Sequence, residues 1–95
     1  MGFDFDYSEE KNLILKETRK ISFEEVIVVI KSKKLLGDLK NPNQKKYPKQ
    51  KIFIIKANQY VYCVPYIIDE KRKVWFLKTI YPSRKLTKKY AKTKI

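Results

Sequence analysis

Residues 51–81 read KIFIIKANQYVYCVPYIIDEKRKVWFLKTIY, three apolar, β-branched and aromatic runs separated by two short polar breaks. That composition suits a pleated, half-buried surface, and the runs at about 51–57, 60–68 and 73–81 have the length of strands. Asn58 with Gln59 makes the first reversal, and Asp69 to Arg72 the second. Connections this short join antiparallel neighbours, so an antiparallel meander is the expected topology. Pro65 stands inside the middle run. Because proline cannot donate to a ladder, that position must lie on an edge or at a bulge.

Upstream, Leu35 to Lys40 reads as a further short strand, and Asn41 to Lys49 as a mobile, lysine-rich loop. Before it, Ser22 followed by Glu25 forms a capping box, with Ile21 and Val26 placed as its hydrophobic staple. Phe23, Val26, Ile27 and Ile30 then share one helical face, which Val28 and Val29 widen. Ser8 caps an earlier helix reaching Arg19, with Glu9 and Glu10 in its first turn. Phe3, Phe5 and Tyr7 alternate with Asp4 and Asp6 as a short strand or extended arm. Downstream, Pro82 ends the last strand and Ser83 caps a helix from Arg84 to about Lys92, which Leu86 and Tyr90 dock. The expected fold is α+β: two N-terminal helices, an antiparallel sheet of three to four strands and a C-terminal helix. One domain spans 1–95, with a basic helix and tail at 83–95.

The formal net charge is +13 and histidine is absent. Residues 1–25 carry seven acids against four bases, whereas residues 71–95 carry ten bases and no acid. Such asymmetry is a statement about partners, and nucleic acid is the first candidate, ahead of an anionic membrane or an acidic protein. No apolar stretch approaches the roughly 18 residues of a membrane span, and the acidic start is unlike a signal peptide. A cytoplasmic location with no membrane partner is expected. The single cysteine, Cys63, lies in a strand run and reads as a core residue.

Histidine-based catalysis is excluded, no metal site is indicated and no cofactor is implied, since two glycines cannot build a phosphate-binding loop. What remains is lysine, arginine and tyrosine around a phosphodiester. RNA supplies its own nucleophile, the 2′-hydroxyl, so a protein need only orient it, stabilise charge on the phosphoryl oxygens and help the 5′-oxygen leave. The best constellation is Lys78, Tyr81 and Arg84. Lys78 either snorkels from an edge strand or faces a phosphate. Arg84 opposes the dipole of the helix it begins, a penalty that a bound phosphate reverses. Lys45, Lys46 and Lys49, interleaved with Tyr47, Tyr60, Tyr62 and Tyr66, suit either a track of phosphates and stacked bases or, for the tyrosines, core packing. Lys85, Lys88 and Lys89 on the last helix are further phosphate contacts or plain solubilising charge.

Taken together, Phe3-Asp4-Phe5-Asp6 with Glu10-Lys11-Asn12, Ile21-Ser-Phe-Glu-Glu-Val26, and Lys78-Thr-Ile-Tyr-Pro-Ser-Arg84 before Tyr90 resemble the BrnT-like toxins of type II toxin–antitoxin modules, small ribonucleases related to the RelE group. The resemblance covers nearly the whole chain. It implies helices followed by a curved antiparallel sheet, metal-independent cleavage of messenger RNA, and Lys78 and Arg84 in the places of the family's strand and strand-end arginines. Lys51 then corresponds to a basic residue on an earlier strand and joins Lys78, Arg84 and Tyr81 as the expected catalytic set. The resemblance further implies an RNA substrate, free or in contact with the ribosome. Its other partner is a small antitoxin, often of the ribbon-helix-helix type in that family, through which alone operator DNA is bound. Phe5-Asp6 stands here for the family's Trp-Asp, and the lysine-rich insert is longer. Two other readings use the same charge: a nucleic-acid-binding module without catalysis, and a basic subunit that assembles with an acidic protein.

Overall fold

The computed structural model describes residues 4–91, so Phe3 and the expected helix end and tail at 92–95 lie outside the described residues. Strand β3 (Gln50–Ala57) pairs antiparallel with β4 (Tyr60–Asp69), Ala57 opposite Tyr60, which leaves Asn58 and Gln59 as a two-residue loop. Both have positive φ, 53° and 63°, the signature of a type I′ turn. Asparagine tolerates that region, but glutamine strains in it. Gln59→Gly is therefore expected to stabilise the fold by about 0.5–1 kcal/mol, read as a rise of a few degrees in Tm.

Alternation along the two strands buries both faces. Phe53, Ile55, Tyr62, Val64 and Tyr66 point to one side, where α1 (Glu9–Thr18) and α2 (Phe23–Lys31) add Leu15, Phe23 and Val26. Ile52, Ile54, Val61 and Cys63 point to the other, where Leu86 and Tyr90 of α3 (Arg84–Ala91) cover them. Coverage on both faces is why these runs are almost continuously apolar. Among the described residues no helix is long and apolar enough to cross a membrane.

The α+β class holds, but the sheet is larger than expected, and mixed. Strand β2 (Leu35–Lys40) extends it antiparallel beyond β3, while β1 (Asp4–Tyr7) joins the opposite edge parallel to β5 (Val74–Leu77). Phe5 explains the attachment, with its ring edge-on to Trp75 at 5.4 Å and 6.5 Å from Phe53. Tyr7 stacks on Phe23 at 4.9 Å and so ties the same strand to α2.

The third apolar run is also broken, and Pro65 is the cause. Tyr66 faces Leu77, yet Cys63 faces Tyr81, so three steps along β4 match four along its neighbour. The extra residue is a bulge, which divides the run into β5 and a short β6 (Tyr81–Pro82). The Lys78 N–H donates to the Pro65 carbonyl at 2.8 Å, but proline returns no N–H, and the ladder lapses there. Arg19 reaches across from the end of α1 and donates to the freed Ile80 carbonyl.

The caps predicted for the two N-terminal helices are present. Ser8 accepts from the Lys11 N–H at 3.2 Å, and Ser22 and Glu25 exchange the two bonds of the capping box. A third device joins the helices: the buried Asn12 accepts the Phe23 N–H at 2.7 Å and donates to Glu24 at 2.8 Å. That second bond holds the Glu24 carboxyl below its usual range.

Candidate nucleic-acid interface

On the α3 face of the sheet the chain builds a groove between two walls. The lysine-rich segment 41–49 makes the first by folding on itself: the Asn43 N–H donates to Asn41 Oδ1 (2.9 Å), and the Lys46 N–H to Asn43 Oδ1 (3.2 Å). The Tyr47 N–H then closes a helical turn onto the Asn43 carbonyl at 2.9 Å, and the Asn41 N–H bonds the Gln50 carbonyl at 3.0 Å. The first is an Asx turn and the second caps the turn that follows, each with a side-chain oxygen in the place of a backbone acceptor. Their effect is to set Tyr47 over the sheet.

The second wall begins at β6 and runs into α3. The Ser83 N–H donates to the Val61 carbonyl at 2.9 Å, and the Val61 N–H donates to the Thr87 hydroxyl at 2.9 Å, so α3 satisfies the backbone that β6 leaves open. Ser83 also caps the helix by accepting from the Leu86 N–H at 3.1 Å. Between the walls lie two adjoining cavities that share Asn41, Tyr47 and Tyr81. The larger, about 440 Å³, has an apolar floor of Ile52, Ile54, Cys63 and Leu86. The smaller, about 300 Å³, is lined by Gln50, Pro65, Lys78 and Thr79.

Among the described residues no acid lines either cavity. Acids are concentrated elsewhere: Asp4 and Asp6 on β1, Glu9, Glu10 and Glu17 on α1, Glu24 and Glu25 on α2. Since both helices cover the opposite face, the charge asymmetry along the sequence becomes an asymmetry between the two faces of the sheet. Lys45, Lys46 and Lys49 are exposed on the first wall, and Lys85, Lys88 and Lys89 on α3. The Lys46 ammonium sits 5.4 Å from the centre of the Tyr47 ring.

Of the expected catalytic residues, Lys78 and Tyr81 meet in the smaller cavity. Burial pushes the Tyr81 phenol above its ordinary value, and the neighbouring Cys63 thiol adds to the shift. Tyr81 thus keeps its proton at neutral pH and is a hydrogen-bond donor. Burial raises the Cys63 thiol likewise, offset in part by Tyr81. Arg84 is exposed in the first turn of α3 and lines neither cavity.

Lys51 is not with them. Ile52 and Ile54 point into the groove, so Lys51 points to the other face, 3.5 Å from Asp38. Asp38 also accepts the Tyr66 hydroxyl at 2.7 Å. Tyr62 is likewise displaced from its expected role: only 8% exposed, it belongs to the core beneath α1 and α2. The aromatic groups that do rim the groove are Tyr81 and Tyr47, 36% and 38% exposed. Tyr47 had the sequence signal of Asn43 four residues earlier, the spacing of a capped turn.

The Asp38 to Tyr66 bond carries its own pH dependence. Burial first, then the hydrogen bond and charge of Asp38, hold the Tyr66 phenol far above its ordinary value of 10. A raised folded-state value means that the unfolded chain loses this proton first, so the contribution is complete below pH 10 and falls as pH rises beyond it. Tyr66→Phe is expected to cost about 1.5–3 kcal/mol at neutral pH, the worth of a hydrogen bond to a charged group. Urea unfolding should find that deficit shrinking above pH 10; a constant deficit would rule out this source.

Compared with known proteins, the chain matches no family model, no curated protein and no solved structure.

Proposed function

We propose that the protein binds single-stranded RNA in the groove between segment 41–49 and α3 and cleaves it, acting as the toxin of a type II toxin–antitoxin module. One observation carries this reading: two exposed tyrosines, Tyr47 and Tyr81, rim a groove that has Lys78 at one end and no acid in its lining. Aromatic faces stack on bases of any sequence, and cations beside them take the phosphates. In the cleavage step the 2′-oxygen bonds to phosphorus while the bond from phosphorus to the 5′-oxygen breaks. Solvent takes the 2′ proton, and the Tyr81 hydroxyl protonates the departing oxygen and is recharged by water. Lys78 stabilises the phosphoryl charge, while Arg84, exposed at the start of α3 and outside both cavities, takes a neighbouring phosphate of the strand. Toxin identity, cytoplasmic action and an antitoxin partner of the ribbon-helix-helix type rest on the family resemblance. Such an antitoxin would bring acidic or apolar groups to the basic face and carry the contact with operator DNA.

Retention on RNA at low salt and release at high salt test the binding half. With about four phosphate contacts, affinity for a single strand should fall roughly 50-fold between 50 and 200 mM salt. A flat salt response would remove the phosphate contacts and the proposal with them. A second reading, binding without cleavage, is favoured by the position of Lys51, which takes one of four expected catalytic groups to the far face. Cleavage assays on free RNA and on ribosome-bound messenger separate the two, because tight binding with intact RNA in both supports only the second.

A further inference from the structure

The hydrogen-bond polarity of the groove selects among bases. Asn43 offers an N–H to the side chain of Asn41, so the atom of Asn41 that meets it must be the oxygen, at 2.9 Å. The Asn41 amide nitrogen therefore faces Gln50 and donates to Gln50 Oε1 at 2.7 Å. The Asn43 oxygen is in turn taken by the Lys46 N–H. All three amide oxygens thus accept a bond within the chain: backbone N–H groups fix which way the Asn41 and Asn43 amides point, and Asn41 in turn fixes Gln50.

Each of these oxygens already accepts one bond, whereas most of the amide hydrogens are unused, so what the side chains leave over is chiefly donor. Gln50 and Asn41 line the smaller cavity and Asn41 and Asn43 the larger; among the described residues the Gln50 Nε2 hydrogens, the second N–H of Asn41 and the Asn43 Nδ2 hydrogens have no acceptor. Tyr47 and Tyr81 rim both cavities, and neither ring stacks on another aromatic side chain of the described residues. Two aromatic rings with no aromatic partner, one of them with the Lys46 ammonium against it, and an amide wall whose unused hydrogens are donors suit a flat ligand whose edge carries adjacent acceptors. Guanine presents N7 and O6 side by side as two acceptors, whereas adenine replaces O6 by a donor that would meet the donors of Gln50 and Asn41. Uracil offers a lone acceptor flanked by N3–H on the matching edge.

We infer that Gln50 and Asn41 read the N7 and O6 edge of an unpaired guanine held between Tyr47 and Tyr81, making the groove guanine-preferring. This rests on the RNA-binding reading of the same groove. The test is fluorescence anisotropy with the full chain and short labelled oligouridines carrying one central guanosine, inosine, adenosine or 7-deazaguanosine. Guanosine and inosine, which share N7 and O6, should bind alike and about tenfold or more tighter than adenosine, with 7-deazaguanosine losing most of that advantage. Gln50→Glu, which points an acceptor at the base, should collapse the guanosine-to-adenosine ratio whatever it does to overall affinity. Equal binding of all four strands overturns the guanine assignment and leaves RNA binding standing, the donors then serving phosphate oxygens. Failure of every strand to bind at low salt overturns the RNA reading itself, and undiminished affinity for 7-deazaguanosine overturns the choice of edge.

Discussion

Replacing Tyr81 by phenylalanine is expected to slow RNA cleavage about 10²–10⁴-fold, the range for a lost general acid, while affinity for the same strand stays nearly unchanged. The ring keeps its place on the rim, so stacking survives. Only the hydroxyl goes, which in the proposed mechanism gives its proton to the leaving 5′-oxygen; burial and the adjacent Cys63 make it a weaker acid than a free tyrosine, which puts the expected loss toward the lower end of that range. Lys78→Ala differs in kind, since it removes a charge to which the proposal gives a part in both binding and the transition state; affinity and rate should fall together. Lys51→Ala is the control. Its ammonium lies on the opposite face against Asp38, so cleavage should be untouched even though the family resemblance would count it catalytic. Single-turnover cleavage of a labelled strand, run beside a binding titration, reads all three. A Tyr81→Phe rate equal to that of the unaltered protein would end the case for Tyr81 as the acid.

The order of elements was legible because each rests on local chemistry. Ser8, Ser22 and Ser83 each cap the helix that follows, and the Asn58-Gln59 break is the hairpin loop. Pro65 gave its warning as well, and the bulge opposite it is where the third run divides. What sequence could not supply was pairing at a distance. The alternation of Phe5 and Tyr7 marks a strand, but nothing local says that its neighbour is β5, or that the two run parallel. The site was half legible for the same reason. Lys78 and Tyr81 are close in sequence and meet; Lys51 was joined to them by family likeness, and its place is decided by the parity of β3, which turns Ile52 and Ile54 to the groove. Tyr62 obeys the same parity one strand over and goes to the core with Val64 and Tyr66. Tyr47 and Gln50 required the folding of segment 41–49, in which three asparagine and glutamine side chains bond one another and the backbone.

Phe53→Ala should cost about 3–5 kcal/mol, a large part of the roughly 5–15 kcal/mol that holds a small domain together. The ring is 1% exposed at the centre of the sheet and stacks on Tyr66 at 3.8 Å with an interplanar angle of 4°. Phe5 of β1 and Trp75 of β5 close around it at 6.5 and 5.7 Å, so with Tyr66 of β4 one side chain meets residues of three other strands. The cavity left behind has little means of collapse: the Tyr66 hydroxyl is tied to Asp38, and Phe5 and Trp75 are held opposite each other by the parallel ladder. Phe53→Leu keeps most of the volume and should cost under about 1.5 kcal/mol. Urea unfolding followed by the fluorescence of Trp75 measures both, and a loss below about 1 kcal/mol for alanine would show that the aromatic cluster does not carry the sheet. The consequence reaches the groove, because β3 and β4 present Phe53 and Tyr66 to one face while Ile52, Ile54, Cys63 and Pro65 floor the other. Two faces of the same strands cannot loosen separately. RNA binding by Phe53→Ala should therefore be lost along the same urea curve as its fold, whereas Tyr81→Phe loses activity with the unfolding curve unmoved.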